Sequence, residues 1–222
     1  MANTVILACS SFARYIRAAQ EKAGTQIPVI WLNQIYHRDP KEMREQVTKA
    51  LSELKPDVKT VLVCMGYCGG SWREVKTPVR TVFPRVDDCV SCALTRPGVR
   101  GYALKQSGHL YVKNPNPRNE SFKGIFERLT AEESPEKIEE QHKIWCSMFE
   151  SIDIVDTGVF DIRDPEYIKP VCEDAIFLDA EVDVVPGSNL VVEKLISGDW
   201  DEHFVIFAPG ETITEERLRN NQ

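Results

Sequence analysis

The sequence predicts an α/β protein: a mostly parallel, doubly wound sheet with flanking helices and an irregular middle insertion. Three observations predict it. Short apolar, β-branched runs recur along the chain, the kind of strand that a parallel sheet buries on both faces. Amphipathic segments lie between them, with capping residues in front and glycine behind. Several runs end in a turn of small residues, as in TVILACSSF, TVLVCMGYCGG, IDIVDTGVF and FVIFAPGE. Such turns face the carboxyl edge of a parallel sheet, where open α/β folds bind ligands.

The elements follow in order. TVILA (4–8) is a buried strand, and Ser10 or Ser11 caps a helix to about Lys22 that Gly24 ends. IPVIWL (27–32) is a second strand. Asp39-Pro40 opens a helix to about Leu54, with Met43, Val47, Ala50, Leu51 and Leu54 on one face. TVLVCM (60–65) is the third strand, and this β-α-β-α-β start favours right-handed parallel crossovers. VRTVF (79–83) is a fourth strand, and Asp87 or Asp88 caps a short helix to Thr95. Residues 98–112 read as a hairpin or two short strands, NPNPRN (114–119) as a loop, and 121–150 as two helices split near Ser134-Pro135. The alternation then resumes with a strand at 152–158, a helix from Pro165 to about Ile176 and a strand at 180–185. A helix to Ile196 stopped by Gly198, a strand at 203–210 and a polar tail complete it. No linker divides the chain, so residues 1–222 read as one α/β domain with an inserted region at about 98–150.

Composition narrows the function. The formal charge is −7, and basic residues are interspersed with acidic ones, so no nucleic-acid partner is expected. No apolar run approaches the roughly 18 residues of a membrane span. The opening MANTVILACSSF lacks a basic leader and reads as a buried strand of a cytoplasmic protein. Seven cysteines, an odd number without a secretory signal, are expected as reduced thiols.

Three of these thiols follow three different strands. Cys9 follows the first, Cys68 sits in the glycine-rich turn after the third, and Cys89 lies just past the fourth. Neighbouring strands would converge these sulfurs on one point at the carboxyl edge. Helix starts at Cys9 and Cys89 favour the thiolate, the form that binds metal or attacks a substrate. Gly66, Gly69 and Gly70 let backbone approach a bound group. His37, after the second strand, is a candidate ligand or proton carrier, and Cys92, one helical turn past Cys89, a candidate fourth ligand. Asp88 is a candidate acid/base group beside the thiols and Arg85 a candidate holder of an anionic substrate. Cys64, Cys146 and Cys172 read as structural, and His109, His142 and His203 as ordinary. No Walker A loop or G-x-G-x-x-G fingerprint occurs.

The GYCGG turn, the PRVDDC segment and the closing GDWDEHFVIFAPG resemble an uncharacterised family, domain of unknown function 1638. The similarity spans most of the chain, from ILAC to the final APG. Members look like single-domain proteins of anaerobic bacteria and archaea, often encoded near corrinoid-dependent methyltransferases. The resemblance carries over Cys9, His37, Cys68, Arg85, Asp88 and Cys89; the glycine turn is shorter here, and Cys92 is additional.

The first expected function is therefore a metal or iron–sulfur protein of anaerobic one-carbon, corrinoid-linked metabolism. Cys9, Cys68 and Cys89 would hold a [4Fe–4S] cluster with one open iron; the same three thiols, or two of them with His37, would suit a Zn²⁺ ion with an open fourth position. Its partner would be a small molecule or a corrinoid or methyltransferase protein. The second is a non-catalytic accessory of corrinoid methyl transfer. The third is a cysteine nucleophile enzyme, with Cys68 or Cys89 as nucleophile and Asp88 or His37 as base.

Overall fold

The computed structural model describes residues 3–115 and 121–220. Along the chain run β1 (Thr4–Cys9), α1 (Ala13–Ala23), β2 (Val29–Leu32), α2 (Pro40–Ser52), β3 (Thr60–Cys64), β4 (Arg80–Pro84) and α3 (Cys89–Leu94). Then come β5 (His109–Val112), α4 (Phe122–Leu129), α5 (Pro135–Met148), β6 (Ser151–Asp156), α6 (Pro165–Leu178) and β7 (Glu181–Pro186). The chain closes with α7 (Leu190–Ser197), β8 (Phe204–Phe207) and α8 (Glu215–Arg219). Two compact units divide it, Met1–Leu104 with Ser188–Gln222, and Lys105–Gly187. The insertion drawn at about 98–150 in the sequence overlaps the second unit, whose chain continues through β6, α6 and β7.

The first unit carries a five-stranded sheet in the order β2-β1-β3-β4-β8, parallel except for β8, which runs antiparallel to β4. All six residues of β1 are buried, as a central strand covered on both faces must be. The crossover from β1 to β2 and that from β2 to β3 run in opposite directions. Right-handed connections therefore put α1 and α2 on opposite faces, which makes the sheet doubly wound. Sequence dictates both helices. Gly24 ends α1 at φ +63°, and Asp39 caps α2 by accepting from Lys41 N at 2.8 Å, with Pro40 in the first turn. Met43, Val47 and Leu51 turn inward. Helix α7 packs along α1 and over β3 and β4. Each fully buried Leu, Ile or Val here contributes about 1.5–3 kcal/mol, so the framework that ends at Cys9 and Cys64 is stiff.

The sheet reverses direction between β1 and β3, the crevice where doubly wound sheets bind ligands. Cys9 closes β1 at this crevice, and the chain leaving β3 reaches Cys68 four residues beyond Cys64.

Three expectations change. Ser10 and Ser11 do not cap α1: they lie in a tight 3₁₀ turn, Ser10–Phe12, and Ser10 Oγ accepts instead from Gln34 N at 3.0 Å. The hairpin expected at 98–112 reduces to β5, because β6 offers it a continuous parallel ladder. The polar tail contains α8, capped by Thr214 and fixed by buried Ile213 and Leu218.

The second unit is a parallel sheet in the order β5-β6-β7. Its core joins Val112, Ile152 and Ile154 to Tyr167, Val171, Ala175 and Leu178 of α6. Asp174 of α6 is buried for a stated reason: its two oxygens accept from Phe122 N and Lys123 N, both at 2.9 Å, and so satisfy the start of α4. Asp174→Ala leaves those donors without partners. It is expected to cost about 1–3 kcal/mol, read as a lowered urea midpoint with unchanged slope.

Candidate metal centre

Cys9 is fully buried at the end of β1. Parallel β2 lies in register beside it, Cys9 opposite Leu32, so residues just past both strands share one edge. His37 arrives from the turn after β2, and its Nε2 stands 3.0 Å from Cys9 Sγ; Ser11 Oγ lies 3.2 Å from the same sulfur. Burial pushes the Cys9 thiol up. The hydrogen bond and charge of His37, with help from Ser11, outweigh that and hold it below the ordinary thiol value.

Cys68 is placed by a zipper between two loops. Beyond the ends of β3 and β4, Tyr67 N donates to Val86 O at 3.2 Å and Cys68 N to Asp87 O at 2.6 Å. The approach is so close that a Cβ on Gly66 would stand 2.4 Å from Asp88 Cα, so glycine is required. Cys68 itself adopts φ +48°, a left-handed conformation costing a non-glycine residue on the order of 1–2 kcal/mol. Gly69 and Gly70 continue at φ +65° and +99°. Arg44 of α2 clamps the turn by donating from Nε and Nη2 to Gly70 O, at 3.2 and 2.8 Å. The three glycines thus shape the turn that presents Cys68.

Cys89 opens α3. Asp88 Oδ1 accepts from Val90 N and Ser91 N, both at 2.9 Å, so this carboxylate fixes the helix start next to the thiol. The Cys68 thiol is pushed well above its ordinary range, first by burial, then by the charges of Cys89, Asp88 and Cys9. Three thiols from three strand ends therefore share one electrostatic neighbourhood. Three ionised sulfurs in that space repel one another, and a bound cation relieves the repulsion.

The other candidates separate. Cys64 is core, and Cys92 is buried on α3 one turn past Cys89. Cys146 is half-buried, its Sγ 3.5 Å from His142 Nε2, while Cys172 is exposed. Arg85 donates from Nε to Phe204 O and from Nη1 to the carbonyls of Arg217, Leu218 and Asn220, so it ties β8 and the end of α8 to β4.

Among the described residues, the one trio of Cys, His or carboxylate ligand atoms lying within 4.8 Å of one another is Asp201, Glu202 and His203. Asp201 there is an ion-pair hub: burial raises its carboxyl, but Lys194 and His203 hold it down at about 2. The cysteine set is more widely spread. Sequence reasoning passed over this trio, although the D-E-H run is visible, and also His109, whose Nδ1 meets the buried Asp153 Oδ2 at 2.9 Å. The signal for the latter was an aspartate inside an apolar strand.

Two outcomes follow from this geometry. Gly66→Ala forces the turn away from Asp88 and is expected to cost at least about 1–3 kcal/mol in urea unfolding. In the metal-free protein one thiol titrates below the ordinary value of 9.0. That depressed pKa contributes stability in full above pH 9.0, and it is lost as pH falls through the folded value. His37→Ala should move the ultraviolet thiolate titration upward and remove this contribution; an unchanged titration contradicts the pairing.

Among the described residues no helix is long and apolar enough to cross a membrane. No curated protein and no solved structure matches the chain. A family model does match, over residues 31–196, with His37, Cys68, Cys89 and Cys92 inside the match and Cys9 ahead of it. Covering well over half of the 222 residues, that match shows that the chain belongs to the family described as Protein of unknown function (DUF1638).

Proposed function

We propose that the chain is a metal–sulfur protein in which Cys9, Cys68 and Cys89 hold a [4Fe–4S] cluster at the carboxyl edge of the five-stranded sheet. The observation that carries this reading is that Cys9, Cys68 and Cys89 follow β1, β3 and β4 at the carboxyl edge of the sheet, near enough for the charges of Cys9 and Cys89 to act on Cys68. The donor set fits: thiolates are the ligands of such clusters, and three of them leave one iron open. Spacing supports the cluster over a single ion. Tetrahedral Zn–S bonds of about 2.3 Å draw sulfurs to about 3.8 Å apart. Here the three sulfurs do not all lie within 4.8 Å of one another.

When bound, such a cluster supplies a Lewis-acidic iron for an oxygen or sulfur atom of a small molecule. The chain's own residues do the rest. His37 holds a proton at Cys9 Sγ or accepts one from it, and thereby sets how readily that thiol becomes a ligand. Asp88 keeps the start of α3 fixed beside Cys89, and Arg44 keeps the Cys68 turn closed. The setting we propose is anaerobic corrinoid-linked one-carbon metabolism, with a small molecule or a corrinoid or methyltransferase protein as partner. A second reading, a zinc site started by Cys9 and His37, is favoured by their 3.0 Å contact; a further thiol would have to move in to complete it, because none lies within 4.8 Å of both.

Anaerobic purification with metal and sulfide analysis tests both. The cluster reading expects about four iron and four sulfide per chain and a broad absorbance near roughly 400 nm. Cys9→Ala, Cys68→Ala and Cys89→Ala should each abolish it, while Cys64→Ala leaves it intact. Stoichiometric zinc without colour moves the assignment to the second reading. No metal after reconstitution sinks both.

A further inference from the structure

A second site lies in the first unit, apart from the thiols. A cavity of about 110 Å³ is walled by the segment after β4, the loop before residue 104, His203 and the end of α8. That is well below the roughly 300 Å³ at which pockets for drug-sized ligands begin, so only a small molecule or ion fits. In a protein of net charge −7 its lining holds three arginines, Arg85, Arg100 and Arg219, with His203 and a single carboxylate, Glu202.

The counter-charges are unevenly placed. Glu202 pairs with Arg100 at 2.9 Å where both side chains are largely exposed, and Glu215 takes Arg219 at 2.6 Å. Arg219 also stacks over Tyr102, 4.4 Å from the ring centroid, which orders its guanidinium at the rim. Arg85 differs. It bonds only to backbone carbonyls, and among the described residues its Nη2 has no hydrogen-bond partner and no carboxylate pairs with it. His203 gives Nδ1 to Asp201 at 2.7 Å, and its Nε2 likewise has no partner among the described residues.

We propose that this cavity binds a small oxyanion, a phosphate- or carboxylate-type group, between Arg85, Arg100, Arg219 and His203. An anion here would supply the counter-charge that Arg85 lacks, and a guanidinium fork suits its oxygens. Burial lowers the Arg85 guanidinium, and Arg217 and Arg100 lower it further, which is the signature of crowded positive charge. The cavity backs onto the thiol turn through short links. Val86 O accepts from Tyr67 N, Tyr102 O accepts from Asp87 N, and Asp87 O accepts from Cys68 N.

The test uses the whole metal-free chain, titrated with inorganic phosphate and, separately, with acetate, by calorimetry at an ionic strength fixed with chloride. Saturable binding of at least one of them is expected, and whichever binds tells phosphate from carboxylate chemistry. Arg100→Gln and Arg219→Gln are expected to weaken it at least about tenfold each, since each removes a charged donor. These rim variants are chosen because Arg85 also holds α8. Neither anion binding above chloride, or wild-type affinity in the double variant, overturns the proposal. Metal content is expected to be unchanged in both variants, so failure here is separable from failure of the thiol site.

Discussion

The site depends on one close approach, the backbone of Gly66 against that of Asp88. Two hydrogen bonds, Tyr67 N to Val86 O and Cys68 N to Asp87 O, pull the turn after β3 onto the segment after β4. Contact at that range admits no side chain at residue 66. Everything local follows from it. Cys68 is held in a left-handed conformation that the bare chain disfavours, and Cys89 is fixed at the start of α3 by the same aspartate. Parallel pairing of β1 with β3 then brings Cys9 to the same edge.

The electrostatics set Cys9 and Cys68 apart. Cys9 has a partner that favours its ionised form, whereas Cys68 is surrounded by groups that oppose ionisation. A protein stabilised only by packing gains nothing from this arrangement, because buried sulfurs of like charge repel. A soft cation at the same place would convert the repulsion into ligation, since thiolates are its preferred donors. The cluster reading rests on that conversion and on the wide spacing of the sulfurs.

Much of this was legible in the sequence. The strands of the first unit, the Asp39-Pro40 start of α2, the Gly24 and Gly198 stops and the Asp88 cap each rest on local chemistry that the structure retains. What was not legible depends on partners far away in the chain. β5 pairs with β6 some 42 residues later, so its own residues suggested only a hairpin. Helix α8 hides in a polar tail because just two apolar residues, Ile213 and Leu218, anchor it. The bonds of Arg85 to the backbone around α8 span more than 110 residues, which no local pattern announces. At the thiol site, Cys9, Cys68 and Cys89 could be listed from strand ends alone. The contact of His37 with Cys9 and the true work of Gly66 required the fold.

The central claim is that Cys9, Cys68 and Cys89 form one unit, whatever metal they take. Anaerobic reconstitution with iron and sulfide followed by thiol alkylation tests it directly, because a thiolate bound to iron is withheld from the alkylating reagent. Peptide mapping should find these three cysteines protected together in the reconstituted protein and alkylated in the metal-free protein, with Cys172 alkylated in both. Protection of none of them, or of a pair that leaves out any one, would contradict the account.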